Sequence, residues 1–297
     1  MMIRELLQHA CLQLKEAGCD APRLDAECLL MYVWHLSRTD LIIRAGDAVP
    51  QHILTDFNVC VQRRMNREPL AYIIGAKEFW SRLFQVTPDV LIPRPETEHL
   101  IEAVLSRFPE RNGTYRFCDI GTGSGCIAVT LACEFPHASI IATDISDAAL
   151  AVARSNAAKH HVAHRICFRQ GDMLAALQSK DGPLDAIISN PPYVAALEMG
   201  ELEKELAQEP RHALTDEKDG LHYLATILRD GPAYLQAGAY MMLETGLCGL
   251  PATPENLTLE QAIHDLAGHL RCGIYRSPCQ GNPIKSKVGF FELSTTS

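Results

Sequence analysis

At 297 residues, 47% of them hydrophobic, the chain is long enough for one large domain, or for a medium and a small one, each with its own core. Lys and Arg number 27 against 36 Asp and Glu, a formal net charge of −9 that disfavours a general binder of phosphate backbones. The 11 cysteines are odd in number and scattered, with no C-x-x-C pair, which excludes a disulfide-stapled miniprotein and points to reduced thiols in a cytoplasmic protein.

Charges interrupt the N-terminal stretch MMIRELLQHACLQLKEAG where a signal peptide needs its apolar segment, and no later run approaches a membrane span. In the first quarter, Ile3, Leu6, Leu7, Ala10 and Leu14, then Leu24, Cys28, Leu29, Met31 and Tyr32, recur at helical spacing. Pro22 with Asp25 and Glu27 marks one helix start, and further helices fit residues 38–44 and 50–67. Residues 1–75 are thus predicted to be an all-helical domain. Over 76–95 the helical period breaks, and Phe79, Leu83, Phe84, Val86 and Val90 fall in short pieces before Pro88 and Pro93, predicting a hairpin linker at Lys77 to Val86. From Glu96 the pattern is a helix to Phe108, then strand YRFCDIG, helix GCIAVTLACEF, strand SIIATDI, helix AALAVARSNAAKH, strand RICFRQGDM, a further helix, and strand LDAIISN. Strands alternating with helices imply right-handed crossovers and an α/β, Rossmann-like, mostly parallel sheet for residues 96–297.

FCDIGTGSGCIAVTLA joins a strand to a helix through Gly121, Thr122, Gly123, Ser124 and Gly125. Glycines permit positive φ and let a ligand lie on bare backbone, and the helix start offers unpaired N–H groups. The spacing is G-x-G-x-G, without the third spacing of the dinucleotide fingerprint, and Asp119 stands two residues ahead of it. A carboxylate there repels a pyrophosphate but attracts the ammonium of an amino-acid tail, which favours S-adenosylmethionine over NAD. Asp144 ends the next strand, where an acid can accept both ribose hydroxyls, while Ser146 and Asp147 are better placed to cap the following helix. Asp172 and Met173 end the third strand, in reach of an adenine edge and face.

Asn190, Pro191, Pro192 and Tyr193 follow the fourth strand in IISNPPY. Two prolines fix the backbone and remove donors, so the carbonyls of Asn190 and Pro191 join the Asn190 side-chain oxygen as acceptors on a rigid frame. Their natural guest is an –NH₂ group, with Tyr193 as a flat wall and Asn190 also against the cofactor. Holding both N–H bonds of an amide or aryl amine favours pyramidalisation and aims the nitrogen lone pair at a sulfonium methyl, without a metal.

Together with PRLDAE, REPLAYIIG, EFW, LIPRPETE (Leu91 to Glu98) and EPRHALTDEKDGL (Glu209 to Leu221), these motifs make the chain similar to the class I S-adenosylmethionine-dependent methyltransferases. Within them it resembles the protein-(glutamine-N5) methyltransferases of peptide chain release factors, the PrmC/HemK family, in register to near Thr245. NPPY by itself is shared with adenine-N6 methyltransferases; LIPRPETE with the helical domain is far more specific. The resemblance implies a seven-stranded sheet, S-adenosylmethionine as cofactor, and methylation of the glutamine in the Gly-Gly-Gln motif of class I release factors. It implies cofactor contacts from Gly121 to Gly125, Asp144, Met173 and Asn190, a glutamine site from Asn190 to Tyr193, and substrate docking on the helical domain. Residues Pro93 to Glu98 are expected to line the site.

Rival readings are a glutamine in a ribosomal protein, adenine-N6 methylation of nucleic acid, and a non-catalytic scaffold; the acidic charge counts against nucleic acid. Past GAYMMLETGL the prolines and weak strand pattern predict a terminal antiparallel pair that is shortened, rearranged or partly disordered, with VGFFEL as a candidate last strand. The remaining candidates have ordinary readings: His160 and His164 as an exposed helix end, QRRMNRE as a solvated basic face, Cys118, Cys126 and Cys133 as small core fillers, and Trp34 and Trp80 as packing.

Overall fold

In the computed structural model, which describes residues 1–279, the helical periodicity of the first quarter becomes five short helices. α1 (Ile3–Glu16) turns Ile3, Leu6, Leu7, Ala10 and Leu14 inward. α2 (Pro22–Trp34) starts on Pro22, whose missing N–H costs nothing in a first turn. α3 (Arg38–Ile43) opens on a Ser37–Asp40 capping box; α4 (Gln51–Met65) and α5 (Leu70–Ile74) close a core around Leu29, Leu30 and Phe57.

The QRRMNRE segment departs from a solvated basic face. Arg64, at the end of α4, is buried, with Nε 2.8 Å from Asp25 Oδ2 and Nη1 2.9 Å from Glu205 Oε1. Arg67 reaches the other Glu205 oxygen at 2.6 Å. The cluster is therefore a joint between the helical region and a distant loop, because one α4 residue faces inward onto α2 and the others flank it.

β1 (Ala76–Phe79) and β2 (Arg82–Gln85) pair antiparallel through a turn in which Trp80 and Ser81 both have positive φ. The amide of Asn156, fully buried in α8 (Asp147–Lys159), ties this hairpin inward. It accepts from Gln85 N at 2.7 Å and donates to the Gln85 and Ser124 carbonyls at 2.9 and 2.8 Å, so the hairpin, α8 and the glycine loop share one satisfied polar node.

The large sheet holds β3 (Arg116–Ile120), β4 (Ser139–Asp144), β5 (Ile166–Gln170), β6 (Leu184–Ser189), β7 (Leu235–Glu244), β8 (Thr258–His264) and β9 (Leu270–Arg276) in the order β5-β4-β3-β6-β7-β9-β8. The first five neighbours run parallel and β9 runs antiparallel between β7 and β8. Side chains alternate between two layers: Phe117 and Met242 pack with α6 (Glu98–Arg107) and α7 (Cys126–Glu134), while Cys118, Met241 and Leu243 pack with α9 (His222–Asp230). With both faces covered, the central strands read as continuous apolar runs. Cys118 and Cys126 are core fillers, and burial pushes the Cys126 thiol up to about 12. His160 caps α8 with its ring on Phe84 and Nε2 3.1 Å from the Leu83 carbonyl.

Two expectations are corrected. Between β5 and β6 there are only two short turns, Met173–Ala176 and Ser179–Asp181, because Gly182-Pro183 stops the segment and the buried Asp181 binds Arg169 and its own Gln178 N–H. The terminal antiparallel pair is present as β8 and β9. Its pattern is hidden in the sequence because β8 is an almost fully exposed edge strand, and β9 carries its inward positions on Cys272 and Ile274 around Gly273. The prolines at 251 and 254 lie in the connector, and Asp265 closes the hairpin by accepting from Ala267 N, His269 N and Arg271 Nε. VGFFEL lies outside the described residues. Among the described residues no helix is long and apolar enough to cross a membrane.

Candidate active site

The sheet order reverses between β3, which feeds leftward to β4 and β5, and β6, which feeds toward β7, so a crevice opens at the carboxyl ends of these strands. The glycine loop fills it. Gly121, Gly123 and Gly125 all take positive φ, at 71°, 53° and 80°. A Cβ on Gly121 or Gly123 would meet no protein atom within 4 Å, so bare backbone floors the pocket there. A Cβ on Gly125 would press Ala153 at 3.1 Å; that glycine serves the packing of α7 on α8.

Asp119, Thr122, Ser124 and Gly125 do not line the pocket; they lie beneath its floor. Asp119 is fully buried, and its Oδ2 accepts from the Thr122 hydroxyl at 2.6 Å and from Ala128 N at 3.1 Å in the first turn of α7. Burial pushes its carboxyl up to about 7, against those two hydrogen bonds and with the Asp144 charge adding to the rise. It braces the loop through Oδ2, while its Oδ1 is buried with no hydrogen-bond partner among the described residues.

Asp144, Asp172 and Met173 do line the pocket. Asp144 accepts from Gly123 N at 2.8 Å and Ser146 N at 2.9 Å, which fixes its carboxylate on the rim while Ser146 caps α8, accepting from Ala149 N. Met173 sits at φ 46°, a left-handed conformation unusual for a non-glycine residue and held here at the pocket edge. Val90, Leu91 and Tyr223 complete the walls; motif chemistry singles out none of them for the cofactor.

NPPY occupies the junction of two cavities. Asn190 and Pro192 face the glycine-loop pocket; Asn190, Pro191 and Tyr193 line an adjoining one with Arg94, Leu206 and Leu214. Asn190 Nδ2 donates to Thr97 Oγ1 at 3.0 Å, which turns Oδ1 away from Thr97. Among the described residues no hydrogen bond ends on the Asn190 or Pro191 carbonyl, so three acceptors stay free at this point. The Tyr193 hydroxyl donates to Glu244 Oε1 at 3.1 Å, and its ring fits against Gly246, where a Cβ would come within 2.8 Å.

Of the LIPRPETE segment, Leu91 and Arg94 line a cavity and Thr97 orients Asn190. Arg94 is held by Glu209, 2.5 Å away, whose other oxygen accepts from Ile92 N at 2.9 Å. The roles of Thr97, Glu209 and Glu244 are not identifiable from motif chemistry. For Glu244 a signal exists: it is a fourth acid at the end of an apolar strand, after Asp119, Asp144 and Asp172.

A mostly parallel sheet with this strand order, a bare glycine floor, an acid on the rim and an asparagine with free acceptors at the cavity junction defines a Rossmann-like methyltransferase. The family model described as the PrmC N-terminal domain matches residues 5–75, and that of the methyltransferase small domain matches 98–222. A release factor glutamine methyltransferase from Nitratidesulfovibrio vulgaris is 44% identical over 82% of this chain and 82% of its own. One from Moorella thermoacetica is 38% identical over 92% and 97%. Among solved structures, the hMettl16 catalytic domain, in complex with the MAT2A 3'UTR hairpin 6, shares the fold at TM-score 0.50 and 16% identity, covering 76% of this chain and 82% of that one. The chain belongs to the release factor glutamine methyltransferase family, and it is a methyltransferase.

Proposed function

We propose that the chain transfers a methyl group from S-adenosylmethionine to the side-chain amide nitrogen of the glutamine in the Gly-Gly-Gln motif of class I peptide chain release factors. The observation that carries this reading is Asn190 at the junction of the two cavities, its amide nitrogen engaged by Thr97 and its acceptors free. The floor of Gly121 and Gly123 fits the amino-acid tail of the cofactor, Asp144 its ribose hydroxyls, and Asp172 with Met173 its base. When bound, the cofactor supplies a methyl group activated by a sulfonium.

The chain's own residues then have a positioning task. Asn190 Oδ1 and the Asn190 and Pro191 carbonyls accept the two N–H bonds of the glutamine amide, which draws the nitrogen lone pair out of conjugation and points it across the junction. Pro191 and Pro192 keep those carbonyls fixed, and Tyr193 stacks along the planar amide. No general base is needed before attack, because the nitrogen sheds its extra proton, to solvent water, only after the methyl arrives.

Labelled S-adenosylmethionine with an unmodified release factor, beside a Gln→Ala factor, tests this: label must enter the first and not the second. Label in both would move the acceptor elsewhere. Asp144→Ala removes a charged acceptor and releases the Gly123 N–H, so cofactor affinity should fall by about tenfold to a hundredfold, as expected for a charge-assisted hydrogen bond of roughly 1.5–3 kcal/mol. Titration calorimetry giving an unchanged Kd would remove Asp144 from the cofactor site.

A further inference from the structure

We propose that Glu244, the last residue of β7, is a positioning residue that orders the acceptor pocket from behind by holding the Tyr193 hydroxyl. This rests on the proposed methyl transfer to a glutamine amide. Glu244 is 1% exposed and lines neither cavity. One of its oxygens accepts from Tyr193 at 3.1 Å, and the other has no hydrogen-bond partner. The Thr97 hydroxyl stands beside the carboxyl and favours its charged form. A carboxylate is a costly way to fill a strand end inside a core, where an apolar residue would fill the space with no desolvation penalty. The bond to Tyr193, a wall of the acceptor cavity, explains its presence.

The direction of the hydrogen bonds matters. With Glu244 ionised, the Tyr193 hydroxyl donates to it, which fixes the Tyr193 ring along the wall of the acceptor cavity that Asn190 and Pro191 also line. A neutral amide in the same place offers N–H groups as well as an oxygen, so the Tyr193 hydroxyl is no longer held to one orientation. Burial pushes the Glu244 carboxyl up to about 7, with the Thr97 and Tyr193 hydroxyls opposing the rise. The groups facing it are Glu96 before α6, which adds to the rise, Arg271 on β9, which lowers it, and the thiols of Cys126 on α7 and Cys272 on β9. Glu244 thus changes charge in the neutral range.

The test starts with the full-length wild type and a release factor. A wild type that binds S-adenosylmethionine but labels no factor would overturn the proposed substrate, an outcome distinct from any behaviour of the Glu244 variants. With an active wild type, Glu244→Gln should lower kcat by about tenfold to a hundredfold, the range expected for a small misplacement of reacting groups, with the KM for cofactor unchanged. The acid limb of the kcat profile near 7 should weaken in the variant, with Asp119, whose carboxyl burial also pushes up to about 7, supplying what remains. Tyr193→Phe should cost less in the Glu244→Gln background than in the wild type, since the two share one hydrogen bond. If Glu244→Gln does not fold, Tyr193→Phe carries the test, loss of the hydroxyl that Glu244 holds lowering kcat with the KM for cofactor unchanged. Wild-type kcat in Glu244→Gln, an acid limb identical to the wild type's, strictly additive losses, or wild-type kcat in Tyr193→Phe would each overturn the proposal.

Discussion

Asn190→Ala should lower kcat by a factor on the order of 10²–10³, the usual loss when one preorganised polar group is removed from a reacting centre, with cofactor affinity changed only a few-fold. Asn190 is the one side chain lining both cavities whose amide nitrogen is already spent on a protein partner, Thr97 Oγ1 at 3.0 Å. Its alanine variant keeps both backbone carbonyls, so some orientation of the amide survives and some turnover with it. It loses the third acceptor and frees Thr97 to rotate. Asn190→Asp is the sharper control, because it keeps shape but cannot donate to Thr97, whose hydroxyl must reverse and donate to the new carboxylate, engaging an oxygen that the wild type leaves free. Kinetics with S-adenosylmethionine and a release factor, together with calorimetry on the cofactor alone, separate the two effects. Full kcat in Asn190→Ala would leave the NPPY reading without support, whereas a large loss of cofactor affinity would reassign the residue to cofactor binding.

The parts of the site legible in the sequence are those where the signal is local. Gly121 and Gly123 follow an apolar strand directly, Asp144 and Asp172 end the next two, and NPPY ends the fourth, so period and punctuation suffice. Asp119 carries the same signal but lies beneath the turn: whether a strand-end acid points into the crevice or under the turn depends on the parity of the pleat and the tightness of the loop. Glu244 looks like the plain end of a strand because its partner, Tyr193, lies 51 positions earlier in the chain and no short-range pattern connects them. The antiparallel end of the sheet is obscure for another reason. An edge strand such as TLEQAIH with both faces wet has no alternation to read.

The same distance effect hides the joint at Arg64, whose removal should destabilise the fold by about 3–5 kcal/mol, as when one partner of a buried ion pair is deleted. Arg64→Ala would leave Asp25, 5% exposed, without its guanidinium partner, and leave Glu205 on Arg67 alone. Burial works against the charge on Glu205, yet the Arg67 and Arg64 guanidiniums outweigh it and hold the carboxyl below its ordinary value. A carboxyl lowered in the folded state contributes stability that is complete above its unfolded value of 4.5 and is lost as pH falls through the lower folded value, so this part of the joint weakens only in acid. Urea unfolding at neutral pH should show the full loss in Arg64→Ala, and a double change of Arg64→Met with Asp25→Leu should recover much of it, since well-packed apolar groups replace buried pairs at little cost. The recovered variant also tests a link to activity. Glu205 anchors the segment that carries Leu206 and Leu214 into the acceptor cavity, and Gln208 Nε2 bonds the Asn66 carbonyl at 3.2 Å beside it. Freed from Arg64, that wall should loosen, so the stable double variant should show a raised KM for the release factor with cofactor affinity unchanged. A wild-type KM there would confine the joint to stability, and a loss under about 1 kcal/mol in Arg64→Ala would mean that Asp25 and Glu205 find solvent or other partners once the arginine is gone.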